Sequence, residues 1–414
     1  MSKKPLLSPV LRIFLVAMIL ANIGGQMFYP LQALYLKQLG ANVEQIGLFF
    51  TLVMIVPIAM QIFGGWVSDR IGRLRAMAIG SLIGVVGNVS MLLAPDWKWL
   101  LAAESLSAIT GAFVAPSFDA FIAEQSGKEN RGKVFATSQA IFQVVAVAGP
   151  ILGGFAARSY GFFFVLLVSA ILYVIATAIR ISLALRHPRK PQSTAAEGLS
   201  LTSSLKAIGL MALAGGIVTW LIISDGARDI AMGFSGNLIP LFLQEAKGFD
   251  AAGIGSLESL FGLAMMLMMI PAGHFSDRFG ERKAIALGYF GAFLAFMTLI
   301  FVQGQPAAFL AYGGFGLAIG LITPAYQSLI SKTFPDSLRG TAFGLLSTSN
   351  GILALPAPFL GGLMWKAWGP TSPFLLTAFM MLLIIIPVWL KFRFPQGSMP
   401  SRNPKDISDA RYSG

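Results

Sequence analysis

Charged side chains embedded in long apolar stretches are the residues of this chain with the most chemical potential. Glu104 and Asp119 fall in the run that begins near residue 98, and Asp225, Arg228 and Asp229 in the run that begins near 218. A charge at the centre of a bilayer costs at least about 2.5–3.5 kcal/mol, so each is a functional candidate by default. Glu104 and Asp119 are 15 residues apart, roughly 22 Å along a helix and about 60° around it. They cannot touch, yet both can face one cavity. Spacings of three and four put Asp225, Arg228 and Asp229 on one helical face, where Arg228 neutralises either acid. Two acids around one base leave a surplus negative charge that can bind a proton or a cation; a fixed structural ion cluster fits the same pattern. Glu258 falls near the outer end of its run, where solvation is the simpler reading. Cysteine is absent, and His187 and His274 share no metal-ligand spacing. No G-x-x-x-x-G-K-[ST] supports nucleotide binding, and nothing supports an enzyme.

The elements that must hold these charges are long and apolar. The 414 residues are 56% hydrophobic and only 12% charged, against roughly 25% charged in soluble domains. Runs such as Leu11 to Leu36, Gly47 to Val67 and Phe374 to Leu390 match the roughly 20 residues that cross a bilayer. The short period-two segments of a β-barrel are missing. The first run follows Lys3, Lys4 and Arg12, is too long for a signal peptide and lacks a small-residue cleavage site, so it reads as a retained span. Twelve spans begin near residues 10, 45, 75, 98, 134, 161, 218, 253, 283, 307, 341 and 371. Both termini then share one face, which carries 24 of the 30 Lys and Arg, Arg180 included, while Lys37, Lys98, Arg158, Lys247 and Lys366 lie opposite. The positive-inside rule places both termini in the cytoplasm, as in a bacterial-type inner membrane. The net charge of +12 then belongs to contacts with anionic lipid headgroups at that face and not to nucleic acid.

One sequence occurs twice. Residues 65–72 read G-W-V-S-D-R-I-G and residues 273–280 read G-H-F-S-D-R-F-G, 208 positions later. The register persists, with Pro116 on Pro324, Arg131-Gly132 on Arg339-Gly340, Pro150 on Pro358 and Gly153-Gly154 on Gly361-Gly362. Two positions reverse sign together: Arg73 becomes Glu281 and Glu124 becomes Lys332, as expected if each half holds one ion pair. The chain therefore divides into a first bundle over 1–185, a linker over 186–217 with a possible amphipathic helix at its end, a second bundle over 218–394, and a polar tail over 395–414 expected to be disordered.

At this point the residues resemble the major facilitator superfamily over nearly the whole chain. The resemblance implies an all-α membrane protein of twelve transmembrane helices in two six-helix bundles, working by alternating access. G-x-x-x-D-R-x-G is similar to that superfamily's cytoplasmic loop signature. It marks Gly65, Asp69, Arg70, Gly72, Arg73 and Glu124, with Gly273, Asp277, Arg278, Gly280, Glu281 and Lys332, as the cytoplasmic gate. By resemblance, Asp69 sits against the amino end of span 11, near Arg339-Gly340-Thr341, where the helix dipole favours an acid. Gly149, Pro150, Gly153 and Gly154 resemble the G-P-x-x-G-G motif of drug/proton antiporters, although Val145 stands where those exporters place a further glycine. Glu104 occupies the place of an embedded arginine in many of them, and its counterpart in the second half is Tyr312. Spans 1, 4, 7 and 10 usually line the cavity, which nominates Asn22, Gln26, Tyr29, Gln32, Tyr312, Tyr326 and Gln327.

The expected function is proton-coupled export of small amphiphilic or cationic compounds by a monomer, with no cofactor and the proton gradient as energy source. Residue type leaves sodium open as the coupling ion. Asp119 and the Asp225/Asp229 pair are the first proton carriers to test, and Glu104 the next. Three alternatives stand beside export: a lipid or lipid-linked sugar flippase, proton-coupled uptake, and a sensor that transports nothing. Few embedded basic residues argue against phosphate-like anions as cargo.

Overall fold

The structure is a computed structural model that describes residues 7–126, 130–187, 216–334 and 351–392, without the side chains at 61–66, 69, 116, 119 and 131. Most of the 186–217 linker, the 395–414 tail and the start of span 11 around Arg339-Gly340 lie outside the described residues.

In hydrocarbon every backbone polar group must be paired within its own segment, and the apolar runs accordingly form helices. Helix α1 (Pro9–Phe28) starts on Ser8, whose Oγ accepts from the Leu11 N–H at 3.2 Å. A 3-10 turn at Tyr29–Leu31 leads on into α2 (Gln32–Gln38). Helix α3 (Val43–Ile71) opens with a reciprocal capping box between Asn42 and Gln45. There follow α4 (Arg73–Leu92), α5 (Trp97–Gln125) and α6 (Arg131–Arg186). The last breaks at Gly161, whose φ of +80° only glycine adopts readily. Its two legs run antiparallel along α1. Val134 and Leu183 both join Leu11 and Phe14 near one end, while Gly149, Gly153 and Ser169 abut Gln26, Met27 and Gly24 near the other.

The second half repeats this plan with α7 (Ile217–Ser235), α8 (Ile239–Lys247), α9 (Ala251–Phe279), α10 (Glu281–Phe301), α11 (Gln305–Thr333), α12 (Ala357–Trp368) and α13 (Ser372–Lys391). Adding 208 to both ends of α3 and of α5 gives the ends of α9 and α11. Gly72 and Gly280, with φ of +92° and +88°, make the same tight turn in each half.

Among the described residues nine helices are long and apolar enough to cross a membrane, and one of these is the two-legged α6. Helix α7 falls outside that group because it carries three charges, and α12 is the described end of span 11. Large apolar side chains stay on the outside, Ile270 74% and Leu310 71% exposed, as lipid contact requires and water would not tolerate.

The buried side chains form three clusters. One, around Leu11, Phe14, Met77 and Phe121, belongs to the first half alone. Another, around Tyr289, Ile322, Leu329 and Met381, belongs to the second. The largest lies at the face opposite the termini and draws Phe28, Leu31, Ile46 and Phe49 together with Phe242, Leu243, Ile254 and Phe374. Among the described residues the halves thus share a core only at that face.

Candidate transport site

At the terminal face the two sign-reversed pairs are both present. Arg73 Nε lies 3.2 Å from Glu124 Oε1 and its Nη1 donates to Ser68 Oγ at 3.1 Å, tying α3, α4 and α5 together. In the second half Lys332 pairs with Glu281, which also accepts from Ser328 Oγ at 2.8 Å. Arg70, Asp277 and Arg278 are exposed at the same face, and Gly273 stands on α9 with open space beside it. The side chain of Asp69, and Gly65, lie outside the described residues, as does the amino end of span 11 against which Asp69 was expected.

Glycines on α6 serve two different contacts. A Cβ on Gly149 would stand 2.3 Å from Gln26 Cβ, and one on Gly153 1.9 Å from the Met27 carbonyl, so both face α1 in their own half. Gly154 faces the other half, where a Cβ would lie 2.5 Å from the Ala251 carbonyl of α9. A Cβ on Gly255 would in turn meet the Pro150 carbonyl at 2.2 Å. The second half returns the arrangement: Gly361 faces Phe234 of its own half, Gly362 faces Val43, and Gly47 faces Pro358. Small residues allow backbones this close, which is how helices associate in lipid. Of the motif expected for an antiporter, Pro150 and Gly154 stand at the seam between halves, while Gly149 and Gly153 pack within their own half.

That seam is flanked by three ion pairs that cross it. Lys37 Nζ lies 2.7 Å from Glu245 Oε1, Arg158 Nε lies 3.2 Å from Asp250 Oδ2, and Lys366 pairs with Glu44. Lys37 and Glu245 are 208 positions apart, as are Arg158 and Lys366, so the latch has the symmetry of the repeat. The 208-residue register of these charges is legible in the sequence, but their pairing across the seam is not.

The first half contains a half-open cavity of about 560 Å³ lined by Asn22, Gln26, Tyr29, Ser107, Gln139 and Arg180, among others. The Tyr29 hydroxyl reaches both Ser107 and Glu104. Glu104 itself is only 6% exposed, and its Oε2 has no hydrogen-bond partner. Arg180, counted from sequence among the basic residues of the terminal face, is instead 2% exposed inside the bundle. Its Nη1 donates to Ser81 Oγ at 2.7 Å and its Nη2 to Met18 Sδ at 3.1 Å, its Nε is without a partner, and no carboxylate among the described residues pairs with it. Composition placed this residue at a span end because six residues of helix remain after it; packing against Met18 and Ser81 draws it inward.

A smaller cavity of about 190 Å³ in the second half is lined by Glu258 and Tyr312 with apolar neighbours. The Tyr312 hydroxyl donates to Glu258 Oε1 at 3.3 Å, so Glu258 is not simply solvated at a helix end. The positions equivalent by repeat, 104 and 312, each supply one member of a tyrosine–glutamate pair.

The remaining candidates separate. Arg228 bonds Asp225 Oδ1 at 2.7 Å and Asp229 Oδ1 at 2.8 Å, which is the fixed ion cluster. Tyr326, expected at the cavity wall, is instead buried in the core of the second half, where its hydroxyl meets that of Tyr289 at 3.3 Å and its ring faces Arg228. Its place two helical turns from the end of α11 turns the ring into the bundle. Gln32 is buried on α2 with Nε2 unpartnered, and Gln327 is exposed. The Asp119 side chain lies outside the described residues.

Comparison with known proteins agrees with this geometry. The family model of the Major Facilitator Superfamily matches residues 14–226 and 222–410. A multi-drug resistance efflux pump PmrA homolog from Lactococcus lactis is 25% identical over 336 residues, 81% of this chain and 82% of the relative. The class E tetracycline resistance protein of Escherichia coli is 29% identical over 345 residues, 79% of this chain and 80% of the relative. Multidrug resistance protein MdtG of Klebsiella pneumoniae is 25% identical over 391 residues, 90% and 92% of the two chains. Among solved structures, the nucleoside transporter NupG superposes with a TM-score of 0.77 at 15% identity, covering 93% of this chain and 100% of NupG. A D-xylose-proton symporter gives 0.70 at 16% identity, covering 93% and 97%, and both likenesses speak to the fold alone. Two pseudo-symmetric helical halves, joined at one face around polar cavities, are thus the architecture of an integral membrane transporter, and the chain belongs to the Major Facilitator Superfamily.

Proposed function

We propose that the chain exports small amphiphilic compounds in exchange for protons across a bacterial-type inner membrane, with both termini in the cytoplasm. In that orientation the shared core and the three crossing ion pairs close the outer face, and the state described is inward-facing. The observation that carries the proton assignment is Glu104. It is a buried carboxylate with an orphan oxygen and, among the described residues, no basic partner, beside a tyrosine that lines the substrate cavity. An orphan acceptor of this kind is a place to hold a proton, and gaining or losing that charge changes how Glu104 and Tyr29 are held near the closing face. Asp225 and Asp229 both bond Arg228, whereas Glu104 has no such ion pair among the described residues, which favours Glu104 over them. The names of the relatives, which describe efflux and drug resistance, support the direction.

The decisive measurement is efflux of fluorescent amphiphiles from proteoliposomes under imposed pH and sodium gradients. Glu104→Gln is expected to abolish acceleration by the pH gradient, a loss of at least tenfold, while exchange of labelled for unlabelled substrate continues. Native-like acceleration in that variant would end the assignment of Glu104. Transport driven by sodium alone would end the proton reading altogether.

A further inference from the structure

We infer that the cavity of the first half contains a subsite for an anionic group, formed by Arg180 and Tyr173. The two residues are seven apart on the second leg of α6 and so share one helical face, and both line the cavity. Arg180 Nε and the Tyr173 hydroxyl are both buried, lie beside one another, and have no carboxylate partner among the described residues. The guanidinium carbon stands 5.8 Å from the Tyr173 ring centroid, which holds the two groups side by side. Ser81 and Met18, which accept from the guanidinium, and Tyr173 beside it are all neutral. A buried cation with no carboxylate partner among the described residues, set at the wall of a cavity large enough for a drug-sized molecule, is matched by an anion carried in from outside.

The remainder of the wall suits the body of an amphiphile. Phe118, Phe135 and Phe142 are apolar faces, and Asn22 and Gln139 offer amides. The ligand class is therefore an aromatic or alkyl amphiphile bearing a carboxylate or a comparable oxyanion, zwitterions included. This deepens the proposed export reading by naming the substrate's charged end, and it reverses the expectation that embedded basic residues are too few for anions. Arginine suits the task because its planar fork of donors matches two carboxylate oxygens at once.

Three probes of one shape test it: 1-naphthaleneacetate, its neutral amide, and 1-naphthylmethylammonium. Binding is measured on purified native protein without any gradient, so the result does not depend on proton coupling. The carboxylate is expected to bind at least tenfold tighter than the amide. Arg180→Gln is expected to bring the carboxylate down to the amide's level while the amide stays within twofold, and Arg180→Lys to keep part of the preference. A native protein that binds the carboxylate no tighter than the amide, or not at all, overturns the proposal. So does an equal loss of all three probes in Arg180→Gln, which would assign the residue to packing. Retained binding together with a pH-insensitive transport cycle would leave this subsite standing and remove only the proton reading.

Discussion

Arg73, Glu124, Glu281 and Lys332 show how much a single residue type can say when it is read against a repeat. The sign reversal across 208 positions needs no structure to notice, and the distance of 3.2 Å between Arg73 and Glu124 gives it physical content. Both members are partly exposed, so the pair contributes no more than about 1 kcal/mol. The expected result of Glu124→Lys is therefore a fall in transport of about fivefold, not its loss, by the same arithmetic. Adding Arg73→Glu recovers part of the rate at equal membrane expression, and a double variant no better than the single one would remove the pair from the gate. Glu104 and Arg180 behave otherwise. Each is buried with no opposite charge in ion-pair range among the described residues, so under the proposed roles substitution is expected to act on coupling or on ligand choice before it acts on stability.

At the level of the helix, α6 carries two adjacent glycines with different duties. Gly153 faces α1 within its half, and Gly154 faces α9 of the other half. Gly153→Ala is expected to lower thermal stability by several degrees, since overpacking a tight contact costs roughly 1–3 kcal/mol. Gly154→Ala places its methyl 2.5 Å from the Ala251 carbonyl, at a contact that the proposed alternating-access cycle would part and re-form. It is expected to leave thermal stability near native while slowing transport at least tenfold. Melting curves and initial efflux rates on the two variants decide this, and the same stability loss in both would refute the division of labour. The G-P-x-x-G-G spacing was legible in the sequence, but the partner of each glycine was not. Residues 154 and 251 are brought together by the packing of whole bundles, and nothing local encodes that meeting.

For the whole molecule the question is which face is closed and by how much. The shared core and three crossing ion pairs close the face opposite the termini. Exposed pairs contribute under about 1 kcal/mol each, so three together can move a two-state equilibrium by up to about a hundredfold. Glu44→Gln, Glu245→Gln and Asp250→Asn in one chain should release the latch, and Asn at 250 preserves the cap that Asp250 supplies to α9. The chain has no cysteine, so spin labels can be placed cleanly at the exposed Gln38 and Gln244. Pulsed electron resonance is expected to show a longer-distance population that grows several-fold in the triple variant. An unchanged distribution would mean that the apolar core alone holds this face shut.

The sequence by itself determined that the chain is helical, that it crosses a membrane many times, and that it has two related halves. Those properties follow from run length, from composition and from a register kept along one chain, all of which are linear quantities. It also located the pairs within each half, because Arg73 and Glu124 are separated by a simple helical hairpin. Only the tertiary structure decided that Arg180 lies in a cavity, that Tyr326 lies in a core, and that Lys37 meets Glu245 across the seam. Each of these depends on how one bundle rotates its helices or sets itself against the other. In a bilayer that choice is made by close packing between helices, since hydrocarbon outside is as apolar as the leucines within. An apolar run therefore says that a helix spans, and not which of its faces turns inward.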